Sequence, residues 1–122
     1  MSGGTATAAE LDLFRKHAEV LHVLSNPLRH EIVHRLAEDP RTVTELVELT
    51  GASKSNVSQH IALLRSFQLV HATREGRSIT YSLAYPQLAE ACRLIDEILL
   101  DQATKAAALH APHPDNKPAA AG

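Results

Sequence analysis

The sequence predicts a mainly α-helical (α+β) domain, with about five helices and one two-stranded β-hairpin. Three observations predict it. Apolar residues recur at three- and four-residue spacing through the first half of the chain. They switch to alternate positions once, between Leu69 and Leu83. Helical spacing then returns from about Pro86. A chain of 122 residues, 44% of them hydrophobic, can fill one modest core but not two independent ones.

From Glu10 to Leu24, the residues Leu11, Phe14, Ala18, Leu21 and Leu24 form the stripe of a first helix. Ser25-Asn26-Pro27 interrupts it, and Pro27 suits the first turn of a second helix, where no N–H is needed. That helix carries Leu28, Ile32, Val33 and Leu36 and stops before Asp39-Pro40. Thr42 or Thr44 caps a short third helix bearing Leu46, Val47 and Leu49, and Gly51 ends it in the left-handed conformation. Ser53 caps a fourth helix to about Ser66, with Val57, Ile61 and Leu64 inward. The hairpin runs from Leu69 to Thr73, through a tight Arg74-Glu75-Gly76-Arg77 turn, to Ile79, Tyr81 and Leu83. The last helix spans about Pro86 to His110, with Leu88, Ala91, Cys92, Ile95, Leu99 and Gln102 along one stripe. Residues 1–8 and the Pro/Ala-rich 111–122 lack apolar periodicity and are expected to be disordered, which leaves 9–110 as the folded domain.

Several functional classes drop out. No run of about 18 apolar residues exists to span a membrane. The opening MSGGTATAAELD has neither the basic nor the apolar segment of a secretory signal. Cys92 is the single cysteine, which excludes an intramolecular disulfide and a cysteine-only metal cluster. As one thiol among Leu and Ile it reads as a small core residue rather than a redox switch. A cytoplasmic protein is expected. It is not expected to be an enzyme, because no nucleophile elbow, phosphate loop or His-Glu-X-X-His motif occurs.

The net charge of -2 hides an uneven distribution. Residues 1–50 hold five Lys/Arg against eight Asp/Glu, and residues 86–122 hold three against five. Residues 51–85 reverse the balance, with Lys54, Arg65, Arg74 and Arg77 against Glu75 alone. The positive element therefore coincides with two short helices joined by a Gly-containing turn, a helix-turn-helix, and with the hairpin after it, a wing. On the second of these helices a 100° step puts Ser55, Gln59, Ala62 and Ser66 opposite the buried face, with Lys54, Asn56 and Ser58 beside them. Small and amide side chains let a helix enter a major groove. Asn56 and Gln59 carry the donor–acceptor pair that bridges an adenine edge, Ser55 can bond to either base type, and Lys54 suits phosphate. On its own this helix reads equally well as a solvated surface helix. The adjoining hairpin, with Arg74 and Arg77 flanking a two-residue tip, tips the balance toward binding of double-stranded DNA. The alternative from another class is a protein-binding module that never touches DNA. Such a surface would more often present aromatic or large apolar groups.

These segments resemble the ArsR/SmtB family of bacterial winged helix-turn-helix regulators. The resemblance rests on LSNPLRHEIVHRLAE (residues 24–38), TVTELVELTGASKSNVSQHIALLRSFQLV (42–70) and REGRSITYSL (74–83), about half the chain. It implies a transcription regulator, repressor or activator, that binds an imperfect palindrome as a homodimer. It places DNA contacts at Ser55, Asn56, Ser58, Gln59 and His60, with Arg77 in the wing. It also implies dimerisation through the first and last helices, which gives Leu11, Phe14, Leu21, Leu88, Ile95 and Leu99 as interface residues. The residues agree on the last helix, where Leu94 and Ile98 widen the apolar band beyond what so small a domain can cover.

Many members of that family respond to metals, and eight histidines invite a nickel or zinc site here. The ligand positions the resemblance implies are empty of donors. Leu46, Val47 and Glu48 stand where it calls for a cysteine, and Tyr85, Gln87, Ile98 and Asp101 occupy the last-helix site, where only Asp101 could coordinate. His30 and His34 are four apart on one helix face, which suits a metal, but the reading as surface residues near DNA is favoured. His17 and His22 are five apart and cannot chelate from one face, so either would need His110 or His113 where chain ends meet. A regulator whose sensing comes from a partner protein or a non-metal effector is the remaining alternative.

Overall fold

The computed structural model of the chain describes residues 4–110. Its elements are α1 (Ala8–Val23), α2 (Pro27–Glu38), α3 (Val43–Thr50), α4 (Lys54–Ser66), β1 (Val70–Glu75), β2 (Ser78–Leu83) and α5 (Gln87–His110). The described residues thus form five helices and one antiparallel hairpin, as the periodicity predicts. Two compact units divide them, one ending at Ala89 and the other beginning at Glu90. Positions 111–122, including His113, lie outside the described residues.

Side-chain caps set the helix starts in the first unit. α1 begins two residues ahead of the expected Glu10. The Thr7 hydroxyl accepts from the Glu10 N–H at 3.2 Å and the Glu10 carboxylate accepts from the Thr7 N–H at 2.7 Å. Asn26 caps α2 by accepting from the Arg29 N–H at 3.0 Å, with Pro27 in the first turn. Thr42 rather than Thr44 caps α3, through the same reciprocal pair with Glu45.

The core of this unit lies among α2, α3 and α4, with β2 against α2 and α3 and β1 against α4. Ile32, Val33 and Leu36 enter it from α2, Leu46 from α3, and Val57, Ile61 and Leu64 from α4, and Leu69 and Val70 close it below the hairpin. The helical ones among them are residues that helical spacing selects, although Leu28 and Val47 from the same stripes are half-buried and Leu49 is exposed. Two apolar stripes behave differently. In α1 only Val23 is buried, while Leu11, Phe14 and Leu21 are exposed, Phe14 by 58%. In the hairpin Val70 is buried, Ile79 is exposed, and Tyr81 and Leu83 are half-buried. Alternation marks the strands without marking a fully buried face.

α4 ends in a Schellman motif. The Gln68 N–H donates to the Arg65 carbonyl at 2.8 Å and the Leu69 N–H to the Leu64 carbonyl at 3.0 Å. Gln68 occupies the left-handed region at φ 60°, where a side chain costs about 1–2 kcal/mol relative to glycine. Gln68→Gly relieves that strain but gives the unfolded chain more freedom, so a net gain of about 0.5–1 kcal/mol is expected. Thermal melting checks it. A midpoint at or below wild type would mean that the glutamine side chain contributes as much as its backbone loses.

In the second unit Cys92 is the buried residue of α5, and Leu94, Ile95, Ile98, Leu99, Leu100 and Leu109 are exposed. Burial, helped by the Asp96 charge, pushes the Cys92 thiol above its ordinary pKa, which leaves little thiolate and agrees with a packing role. Arg93 pairs with Glu90 at 2.6 Å and with Glu97, and Lys105 with Asp101 at 2.9 Å. These pairs are solvated and contribute little stability. Among the described residues no helix is long and apolar enough to cross a membrane.

Candidate nucleic-acid interface

Gly51 turns the chain from α3 into α4. Its φ of 73° is open to glycine at no cost, and its N–H donates to the Val47 carbonyl at 2.9 Å. Ser53 then caps α4, its hydroxyl accepting from the Asn56 N–H at 3.1 Å. With Val57, Ile61 and Leu64 buried, Lys54, Ser55, Asn56, Ser58 and Gln59 are all exposed over the first turn and a half. None of the five is bulky and apolar. His60 differs from them: it is half-buried, and its Nδ1 lies 3.2 Å from Nη1 of Arg29 on α2.

The wing departs from the expected register by one residue. Glu75 pairs with Ser78 and Arg74 with Ile79, so the two-residue tip is Gly76-Arg77, not Glu75-Gly76. Gly76 takes φ 63° in the first tip position while Arg77 has a negative φ, the pattern that places Gly first in a hairpin turn. Arg77 therefore stands on the tip itself, and Arg74 lies back along β1 rather than flanking the tip with it.

A second pairing anchors the wing. Arg41, in the connection between α2 and α3, exchanges both backbone hydrogen bonds with Tyr81 of β2, at 2.9 and 2.7 Å. This bridge ties the hairpin to the residue just before the Thr42 cap. An open groove of about 450 Å³ results, lined by Thr42 and Thr44 of the α3 start, Lys54 of α4, and Arg77, Ser78 and Tyr81 of the wing. The two cations that sequence placed on separate elements share this groove. Thr44, which the sequence offered only as a helix cap, and Ser78, which it did not single out, line it as well. The Glu45 carboxyl is held below its ordinary pKa by its hydrogen bonds to Thr42, so it stays ionised and keeps the α3 cap closed at neutral pH.

The candidate metal ligands scatter. His17 and His22 are exposed on α1, His30 is half-buried and His34 exposed on α2, and His110 is exposed at the end of α5. Among the described residues no three His, Cys, Asp or Glu side chains come together as a metal centre requires. The position expected to offer a thiol holds Leu46, a fully buried hydrocarbon. The donor set does not fit either metal site that the resemblance implies.

The family model for bacterial regulatory proteins of the arsR family matches residues 26–72, from the α2 cap through the first strand of the wing. An uncharacterized HTH-type transcriptional regulator of Mycobacterium tuberculosis, Rv0081, is 35% identical over 88 residues, which cover 71% of this chain and 77% of that protein. The HTH-type transcriptional regulator NmtR of the same organism is 39% identical over 82 residues, covering 67% and 66%. The crystal structure of Rv0081 superposes with a TM-score of 0.70 at 33% identity, covering 76% of this chain and 94% of the other. The Mycobacterium bovis protein Mb0332, described as a homodimeric winged helix-turn-helix DNA-binding domain, superposes with a TM-score of 0.70 at 27% identity, covering 93% and 99%.

Proposed function

Since this chain belongs to the ArsR family of bacterial regulatory proteins, DNA-binding winged helix-turn-helix regulators of transcription, we propose that it reads an operator with α4 and grips the adjoining backbone with its wing. Asn56 and Gln59 address base edges, Ser55 and Ser58 allow close approach, and Lys54 and Arg77 take phosphates. The observation that carries this reading is the groove itself, in which a cation from the helix-turn-helix and a cation from the wing line one open channel. A polar recognition face beside an open channel that two cations line suits duplex DNA better than it suits a protein surface.

The active form in this reading is a homodimer. Mb0332 is homodimeric, and in this chain Leu11, Phe14 and Leu21 on α1 and Ile95 and Leu99 on α5 are exposed apolar groups, with Leu88 half-buried. A two-fold dimer sets its recognition helices about 34–36 Å apart and so favours an imperfect palindrome.

Fluorescence anisotropy on duplex DNA from upstream of the protein's own gene tests the reading. The logarithm of affinity should fall linearly with the logarithm of salt. Lys54→Ala and Arg77→Ala should each flatten that slope by about two, since the homodimer loses one phosphate contact per subunit, and weaken specific and non-specific duplexes alike. Slopes identical to wild type would remove both residues from the backbone contact. The same titration with chelator, then nickel, then zinc identifies the effector class. Affinity that changes with metal assigns sensing to ligands other than the two positions implied by the family. Affinity indifferent to metal assigns it to a non-metal effector or a partner protein.

A further inference from the structure

We propose that Arg29 is a positioning residue for the recognition helix: it holds His60 as the neutral Nε2–H tautomer, and DNA binding by α4 therefore weakens on acidification. The proposal rests on the reading of α4 as the recognition helix.

Arg29 is fixed at three points. Its backbone N–H donates to the Asn26 side chain at 3.0 Å, its Nε to the Val23 carbonyl at 2.6 Å, and its Nη1 lies 3.2 Å from His60 Nδ1. One side chain thus ties the end of α1 and the start of α2 to the middle of α4. A guanidinium has donors only and does not lose its proton in proteins. At this contact Nδ1 must therefore be the acceptor, and a neutral ring accepting at Nδ1 carries its hydrogen on Nε2. That leaves His60 with one ring donor on its other edge, on the helix that exposes Ser58 and Gln59 just before it.

Protonation would set an N–H on Nδ1 against an N–H of a cation. The hydrogen bond is then lost and like charges meet, so either the ring swings away or Arg29 leaves the Val23 carbonyl. Among the described residues the elements that pack most closely against α4 are α2, α3 and β1, and the charge that bears on the ring comes from α2, through Arg29. Burial first and Arg29 second hold the imidazole below its ordinary pKa. The sign follows from linkage. The folded protein favours the neutral ring, so its contribution is complete above about pH 6.5 and is lost as pH falls through the depressed folded-state pKa. A histidine that simply faces phosphate behaves the other way, since its proton adds a cation and strengthens DNA binding in acid. The direction of the pH dependence separates the two.

The test uses the full chain in two arms. In the first, without DNA, ring nitrogen chemical shifts across a pH titration report the tautomer and pKa of His60. The Nε2–H form with a pKa below about 6.5 is expected in the wild type, and Arg29→Gln should raise that pKa. An Nδ1–H tautomer overturns the proposal whether or not the variant folds. In the second arm, anisotropy is followed from about pH 7.5 to about pH 5.5 on a duplex that the wild type has enriched from a random pool. Affinity should fall as pH drops through the His60 titration, by up to about tenfold per pH unit for each His60 in the binding unit, and His60→Gln, which cannot titrate, should lose that fall. A wild-type profile that is flat or rises in acid overturns the proposal alone. No binding at any pH overturns the DNA reading of α4, and the proposal with it.

Discussion

Replacing Leu46 with alanine is expected to destabilise the first unit by about 2–5 kcal/mol, the range for truncating a fully buried leucine. Leu46 is 0% exposed and is the buried residue of α3, an eight-residue helix too short to persist without packing. The helix meets α2 on one side and α4 on the other, so the hole left by the lost atoms opens at the joint of the helix-turn-helix. α3 itself is held at both ends, by the Thr42 cap and the Gly51 turn. A domain of this size has about 5–15 kcal/mol in total, so the change removes a large share of it. In a denaturant titration the midpoint should drop sharply while the slope stays the same, since the surface exposed on unfolding scarcely changes. A loss below about 1 kcal/mol would mean that neighbouring side chains refill the site, and that Leu46 is less decisive for α3 than its burial indicates.

What could be read from the sequence divides along a physical line. Local chemistry was legible: Ser53 before an apolar period, Pro27 in a first turn and Gly51 after a last one each marked a helix boundary, while the α3 cap stayed open between Thr42 and Thr44 until the bonds with Glu45 selected Thr42. The core was legible too, because Val57, Ile61 and Leu64 face inward wherever α4 is placed. The hairpin register was not. Glu75-Gly76 and Gly76-Arg77 are both plausible tips, and the choice follows from which tip position adopts the positive φ. Non-local pairings left no signal at all. The Arg41–Tyr81 bridge joins residues forty apart through backbone atoms, which every sequence possesses, and its Tyr81 lines the groove that Lys54 and Arg77 share. Arg29 likewise carried no signal of its own in the sequence, and only the fold sets it against His60.

The charge pattern takes on meaning from the same geometry. The chain as a whole is acidic at -2, so its field does not draw it to DNA indiscriminately. Its attraction is local, and two of the four cations between residues 51 and 85 line one groove. If those two cations are the phosphate contacts, as proposed, affinity should depend only moderately on salt, and discrimination between sequences should come largely from the bases.

Gln59 is where that discrimination should be concentrated. It projects from the exposed side of α4 opposite Val57, Ile61 and Leu64, and its amide offers a donor and an acceptor in one plane, the match for the adenine edge in the major groove. Gln59→Ala is expected to weaken binding to the preferred duplex by about 1–3 kcal/mol and to leave non-specific DNA nearly unaffected, because no phosphate contact is removed. Its salt slope should stay at the wild-type value, in contrast to Lys54→Ala and Arg77→Ala. Stability should stay within about 0.5 kcal/mol, since an exposed side chain leaves no cavity behind. Competition binding across duplexes changed one base pair at a time makes the comparison direct. The variant should lose preference at one position of each half-site and keep it elsewhere. If preference fell evenly across the site, Gln59 would be acting through the seating of α4 rather than on a base. If nothing fell, the face presented to DNA would have to be rotated away from Gln59, toward Asn56 or Ser58 on the same helix.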